Sequence, residues 1–365
     1  MRVIPKIIGI GTAVPERSCT QAEARDHYHL ISEEKARDSE ASRALYRLSR
    51  IAKRHSVLLG SLETPCELVD FYPPALASGP TTGARMRIYE EEAPRLAHTA
   101  ANNAVTDSEI CPEEITHLIT ISCTGFFAPG IDIHLIHSLG LNPQVQRTHI
   151  GFMGCHAAIN GLQSAVAIVK SDPNATVLMC CVELCSLHFS YQNKTDRIVS
   201  NSLFSDGAAA IVVRSRENNA GSHWHCLASF SSLLPETKDI MGWKIGDHGF
   251  EMELSTLLAK VIERELPDLI QRGLASSNLD VKQIESWAVH PGGPRILTAV
   301  EKALELSFDA LKVSQGVLQE YGNMSSATVL FVLDQLSREG AKSPCLMLAF
   351  GPGVVCEAAV MVRGS

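Results

Sequence analysis

A chain of 365 residues exceeds the roughly 250–300 at which a single hydrophobic core stops growing, so two domains or a duplicated one are expected. Hydrophobic residues at 45% and charged residues at 20% give an ordinary globular balance, and a formal net charge of -8 argues against a nucleic-acid surface. No stretch approaches the ~20 uninterrupted apolar residues of a membrane span, and residues 3–14 lack the plan of a signal peptide, so a cytoplasmic location is the default. Eleven cysteines without a repeated C-x-x-C pair suit free thiols in a reducing compartment better than disulfides or a zinc site, and no metal is expected.

In chain order, residues 3–12 form a strand-compatible run ended by Val14 and Pro15. Residues 22–31 and 40–54 are helical in composition. In the second run Arg43, Arg47 and Arg50 fall at i, i+4 and i+7 and share one face, either a solvated surface or a docking stripe for a phosphate-rich handle such as coenzyme A. Residues 56–92 read as loops with short helices, and 93–104 as a helix. A strand over 117–122 runs into a loop of small and aromatic residues, 123–130, and a helix over 131–139 follows. Next come a strand over 145–150, a helix over 162–170 and the almost wholly apolar strand 176–182. The segment 200–213 leads through Phe204-Ser205-Asp206-Gly207 into another strand. The composition turns polar at 214–221, which places a boundary between halves at 1–220 and 221–365. The second half has strands over 225–231 and 286–290 and a long helix over 252–272. Helices over 295–304, 310–320 and 325–337 precede closing strands at 345–350 and 354–362. This alternation predicts an α/β layer structure with sheets buried on both faces, built from two halves of related order.

Three stretches carry chemistry. Gly151 to Gly161 places Cys155 at a strand-to-helix turn, where free N–H groups and the helix dipole favour a thiolate, although most free cysteines are inert core residues. His290 ends a strand and Asn323 precedes a helix; alone, each reads as structural or as a cap. Together they fit one task. A thiolate sustained by an imidazolium takes an acyl group, and the imidazole with an amide N–H₂ stabilises the enolate left when a malonyl group loses CO₂. No metal or redox cofactor is required.

At these residues the sequence resembles the type III polyketide synthases, the chalcone- and stilbene-synthase-like branch of the thiolase-fold condensing enzymes. The resemblance lies in Val289-His290-Pro291-Gly292-Gly293-Pro294, Gly322-Asn323-Met324-Ser325-Ser326, Leu203-Phe204-Ser205-Asp206-Gly207-Ala208-Ala209 and Phe350-Gly351-Pro352-Gly353, with Gly154-Cys155 and the opening Gly9 to Pro15. It spans almost the whole chain in the right order. It implies a thiolase-like αβαβα five-layer fold, a homodimer, and CoA thioesters as substrates without a further cofactor. Cys155 becomes the acyl-carrying nucleophile, His290 and Asn323 the decarboxylation and oxyanion pair, and Phe204 the gatekeeper between CoA tunnel and cavity. Ser325 joins the cavity wall, and Arg43, Arg47 and Arg50 lie within about one residue of the family's CoA-phosphate positions.

Departures from the plant members fall in the pocket. Cys123 stands where chalcone synthases carry threonine, and Ala128 where plant enzymes carry a methionine that reaches into the partner's cavity. Cys185, Leu187 and His188 replace threonine, valine and threonine. Ala128 removes volume while His188 fills space, and the alignment slips near Gly242 and Trp243. The turn around Cys155 looks microbial; its neighbour His156 reads as structural. The resemblance implies an acyl-CoA starter extended several times with malonyl-CoA and released as a pyrone, resorcinol or related aromatic. The rivals are a single-condensation ketoacyl synthase III-like enzyme, which the sequences after His290 and Asn323 disfavour, and a non-catalytic acyl-CoA-binding homologue. A hydroxymethylglutaryl-CoA synthase would need a catalytic glutamate that the sequence does not place.

Overall fold

The structure, a computed structural model, describes residues 3–31, 40–59, 71–73, 78–215 and 224–363. Its first half contains β1 (Lys6–Ala13), β2 (Ser18–Thr20), α1 (Gln21–Ile31), α2 (Glu40–Leu48), β3 (Lys53–His55) and α3 (Thr82–Asp107). There follow β4 (His117–Ser122), α4 (Ile131–Leu139), β5 (Gln146–Gly151), α5 (Ala157–Ser171), β6 (Thr176–Leu184), α6 (Thr195–Leu203) and β7 (Asp206–Arg214). The second half contains β8 (Trp224–Leu233), β9 (Met241–Gly246), β10 (Gly249–Leu254), α7 (Leu258–Ala275), β11 (Ser286–Val289) and α8 (Pro294–Ala303). It closes with α9 (Lys312–Tyr321), α10 (Thr328–Arg338), β12 (Cys345–Gly351) and β13 (Val355–Arg363).

Nine strands form one hydrogen-bonded order, β11-β12-β13-β8-β1-β7-β6-β4-β5. Among the described residues two pairs, Lys6 with His225 and Ile7 with Trp224, join β1 to β8, a short seam between the strands of the two halves. The strands β4-β6-β7-β1 of the first half and β11-β12-β13-β8 of the second share one plan: a parallel pair followed by two antiparallel pairings. In each half the helix before the second of these strands, α5 or α10, fills the space between the sheets.

Strand alternation builds the layers. In β6, Val177, Met179 and Cys181 enter the central cluster with α5 and α10, while Leu178, Cys180 and Val182 face α3 and α4. In β12, Cys345, Met347 and Ala349 face the centre, while Leu346, Leu348 and Phe350 face α7 and α8. All residues of both strands are buried, which is why each reads as a continuous apolar run. The result is the expected αβαβα fold.

Several expectations need correction. The run 40–54 is not one helix: α2 stops at Leu48, Arg50 takes the left-handed backbone (φ 56°), and residues 53–55 pair with β2. Tertiary bonds decide this, because the N–H and C=O of His55 both engage the Ser205 hydroxyl. Arg43 and Arg47 keep a common helix, but Arg50 does not share it. α3 begins at Thr82, inside the stretch read as loops, with the Thr81 hydroxyl accepting from the Ala84 N–H. Residues 252–254 are strand, and the following helix starts only at Leu258. There Phe250, Met252 and Leu254 alternate with Glu251 and Glu253, a period-2 pattern. Most of the 214–221 boundary lies outside the described residues.

Candidate active site

Cys155 follows β5 through a turn in which Phe152 (φ 61°) and Gly154 (φ 87°) both adopt left-handed backbone. A Cβ on Gly154 would lie 2.3 Å from the Pro352 ring, so only glycine lets the nucleophile turn and the 351–354 turn meet. The Gly154 N–H donates to the Cys123 sulfur at 2.9 Å. On the opposite side Ser325 is also left-handed (φ 48°), and its hydroxyl stands 3.6 Å from the Cys155 sulfur. Strained backbone of this kind, worth about 1–3 kcal/mol per residue, persists where the surroundings over-determine it.

Asn323 is held on three sides. Its N–H donates to the Leu203 carbonyl, its carbonyl accepts from the Ser205 N–H, and its side-chain oxygen accepts from the Ser325 N–H at 2.9 Å. With the oxygen taken, the amide N–H₂ is the group left to reach the Cys155 sulfur. Phe204 and Asn323 form an isolated β-bridge, so the expected gate and the expected amide share one backbone contact.

The helix-start argument for a thiolate is outweighed. The N-cap of α5 is His156, not Cys155, and burial pushes the Cys155 thiol up to about 12. Ser325 opposes this, the Glu183 carboxylate adds to it, and Asn323 opposes it again. His290 is buried at the end of β11, and burial, then the nearby His156, pushes its imidazole down to about 3. Neither ring nitrogen of His290 has a hydrogen-bond partner. Each group therefore resists carrying charge alone, and both ring nitrogens of His290 are left for a partner outside the described side chains. His156 is buried, with Nδ1 on the Asn160 side-chain oxygen and its ring against Gly351.

Around this centre lies a cavity of about 340 Å³, at the small end of ligand sites. Cys155, Cys123, Cys185, His188, Phe204 and Ser325 line it. Leu187 does not: it is fully buried in the outer core, because the turn after β6 carries its side chain away and its carbonyl accepts from Arg85. Ala128 is exposed in the 125–130 loop and does not border this chain's own cavity. Arg43 and Arg47 are exposed on α2 away from the cavity, and Arg50 borders a separate hollow of about 130 Å³ beside Pro294.

The cavity floor joins His188, expected in the pocket from the sequence, to Trp243, which the sequence left uncertain, and Phe250, which it did not bring forward. The His188 ring stacks on Phe250 (4.2 Å, 12°) and meets Trp243 edge-on (5.6 Å). Its Nε2–H donates to the Thr124 carbonyl at 2.6 Å and its Nδ1 accepts from the Phe250 N–H at 2.9 Å. Trp243 donates to the Cys123 carbonyl. Glu183 is a further functional candidate, fully buried and accepting from the Cys123 N–H, the Thr124 hydroxyl and the Ser326 hydroxyl. Burial raises its carboxyl, and those bonds pull it back. A lone acid at the end of an apolar strand was its signal in the sequence. Among the described residues no group of three His, Cys, Asp or Glu side chains is placed to hold a metal.

The chain matches the family model described as "Chalcone and stilbene synthases, N-terminal domain" over residues 3–217 and that of the C-terminal domain over 226–364. It therefore belongs to the chalcone and stilbene synthase family, and it is a type III polyketide synthase, an acyltransferase of decarboxylative condensation. It is 31% identical to the "Alpha-pyrone synthesis polyketide synthase-like Pks18" of Mycobacterium tuberculosis, across 96% of this chain and 89% of that protein. It is 29% identical to "Type III polyketide synthase C" of Arabidopsis thaliana, across 97% and 94%. Among solved structures it resembles PKS-I of the brown alga Ectocarpus siliculosus at a TM-score of 0.93 and 29% identity, covering 100% and 99% of the two chains.

Proposed function

We propose that the enzyme loads an acyl group from a CoA thioester onto Cys155, extends it several times with malonyl-CoA, and releases a cyclised product, with a pyrone favoured. The observation that carries this reading is the meeting of the Cys155 sulfur with the Ser325 hydroxyl and the Asn323 amide, with Cys155 and Ser325 lining a cavity of about 340 Å³. The similarity to a protein named for α-pyrone synthesis supports the pyrone over a resorcinol. Cys155 gives its proton to His290, and the sulfur attacks the acyl carbonyl, expelling the CoA thiolate. Malonyl-CoA then loses CO₂, and the enolate oxygen is held by His290 and the Asn323 amide. The enolate carbon attacks the acyl carbonyl on Cys155, the sulfur leaves, and the lengthened chain returns to it. The reading uses no metal or redox cofactor.

The small cavity, floored by His188, Trp243 and Phe250, suits a short polyketide chain. Arg43 and Arg47 present exposed cations for CoA phosphates, and Arg50 does so beside the small hollow. A homodimer through β5 is supported by an exposed sheet edge, flanked by Phe126 and Met153 at 57% and 41% exposure. No helix among the described residues is long and apolar enough to cross a membrane.

Incubation with malonyl-CoA and a panel of acyl-CoAs, followed by mass spectrometry, tests the reading. Multiply extended, cyclised products are expected. Single condensations only, or dependence on a carrier protein, would overturn it in favour of a ketoacyl synthase III-like reaction. Cys155→Ala should lose acyl loading, while Asn323→Ala should keep loading and slow decarboxylation about 10²–10³-fold.

A further inference from the structure

Two half-buried residues, Phe204 at the C-cap of α6 and Met252 on β10, line the cavity, and the packing of these two elements forms part of its wall. A buried guanidinium holds the main-chain carbonyl of each. Arg54, on β3, donates through Nη1 to the carbonyls of Phe204 (3.0 Å) and Asn201 (2.5 Å), closing the C-terminal turn of α6. Its stem packs on Gly322, where a Cβ would lie 3.1 Å from Arg54 Cγ. Arg197, on α6 itself, donates through Nη1 to the Met252 carbonyl and pairs through Nη2 with Glu251 at 2.7 Å. β3, α6 and β10 are thus tied in series.

Packing alone would not use such groups. Arg54 and Arg197 are 9% and 6% exposed, and each leaves its Nε buried without an acceptor. Neither Arg54 bond reaches a carboxylate, and the one carboxylate on Arg197 is half-exposed. Apolar side chains of the same volume would fill the space without an unsatisfied donor. What the guanidiniums supply instead is direction: planar forks that set where two carbonyls, and hence two side chains, stand.

We propose that Arg54 and Arg197 are positioning residues that fix the opening between Phe204 and Met252, and so make the enzyme select slim, unbranched acyl thioesters over wide ones. The inference rests on acyl loading at Cys155. Arg197 is the sharper test, because it alone spans from the Phe204 helix to the Met252 strand.

The experiment measures kcat and KM for hexanoyl-CoA and benzoyl-CoA, with malonyl-CoA, in the full-length enzyme and its Arg197→Gln, Arg197→Lys and Glu251→Gln variants. Arg197→Gln should raise the benzoyl-to-hexanoyl ratio of kcat/KM about fivefold or more, mainly through KM. Malonyl-CoA decarboxylation without a starter should stay within about twofold, because Asn323 keeps its bonds to residues 203, 205 and 325. Arg197→Lys, which still donates to Met252, should restore most of the selectivity, and Glu251→Gln should shift it less but in the same direction. An unchanged ratio in a variant with wild-type thermal unfolding overturns the proposal, as does an equal fall in kcat for both starters. If Arg197→Gln does not fold, the Glu251→Gln and Arg197→Lys ratios decide. Wild-type enzyme that carries no acyl group on Cys155 would instead sink the functional reading itself.

Discussion

The His188→Ala substitution probes how far the cavity floor determines the product. The imidazole is buried, and its two nitrogens bind partners of opposite kind: the Thr124 carbonyl accepts, whereas the Phe250 N–H donates. The ring is therefore the neutral Nε2–H tautomer, in keeping with burial pushing it down to about 3. Removing it loses two hydrogen bonds, at about 1 kcal/mol each, and a stack on Phe250 worth about 0.5–1.5 kcal/mol, so about 3 kcal/mol in all. Urea unfolding should show that loss, and mass spectrometry should show products at least one acetate unit longer. His188→Phe keeps the stack and the volume but neither bond; it should lose about 2 kcal/mol and retain product length. It also isolates a pH effect. Between pH 6.5 and 3 the unfolded imidazole takes a proton that the folded one refuses, so stability present at neutral pH is lost as pH falls. His188→Phe should flatten the slope of stability against pH by about 1.4 kcal/mol per unit in that window. A stable His188→Ala protein with unchanged products would refute the floor assignment.

Other outcomes follow from single contacts. Because burial, aided by Glu183 and opposed by Ser325 and Asn323, leaves Cys155 pushed up to about 12, its reactivity near neutral pH needs His290 to take the proton. His290→Ala should shift the pH profile of iodoacetamide inactivation upward by about two units or more, and superimposable profiles would show that the two groups do not share a proton. Gly351→Ala would set a Cβ 2.0 Å from the His156 ring, one residue from Cys155; acyl loading should fall and stability drop by about 1–3 kcal/mol in thermal unfolding. Arg85 is fully buried and donates to the Leu187, Phe189 and Pro80 carbonyls. Arg85→Met should lose about 3 kcal/mol or more in denaturant unfolding, and a near-neutral result would mean that water replaces those bonds.

Much of the candidate site could be read from short stretches of sequence, for definite reasons. Cys155, His290 and Asn323 each sit in a short segment whose flanking glycines and serines are set by local backbone needs, such as φ 87° at Gly154 and 73° at Gly322. Local needs leave local patterns. The buried strands were legible too, since a strand covered on both faces has to be apolar throughout.

Where the reading failed, distant partners outweighed local preference. Residues 53–55 are strand because Ser205, 150 positions away in the chain from His55, takes both backbone groups of His55. Leu187 and His188 are neighbours in sequence, yet one enters the outer core and the other the cavity floor, and only the turn after β6 decides which. The arginine stripe on α2 was visible as charge, but Arg54 and Arg197 were hidden, because what matters about them is which carbonyls they meet.

The amino-acid sequence by itself determined an α/β plan in two related halves and brought forward Cys155, His290 and Asn323 as candidates, because periodicity and turn chemistry act over a few residues. The five αβαβα layers were implied only by the family resemblance. Only the tertiary structure decided how burial acts on Cys155 and His290 and which residues line the cavity. Burial, and hydrogen bonds between segments more than a hundred residues apart, are properties of the packed chain and leave no mark in its local pattern.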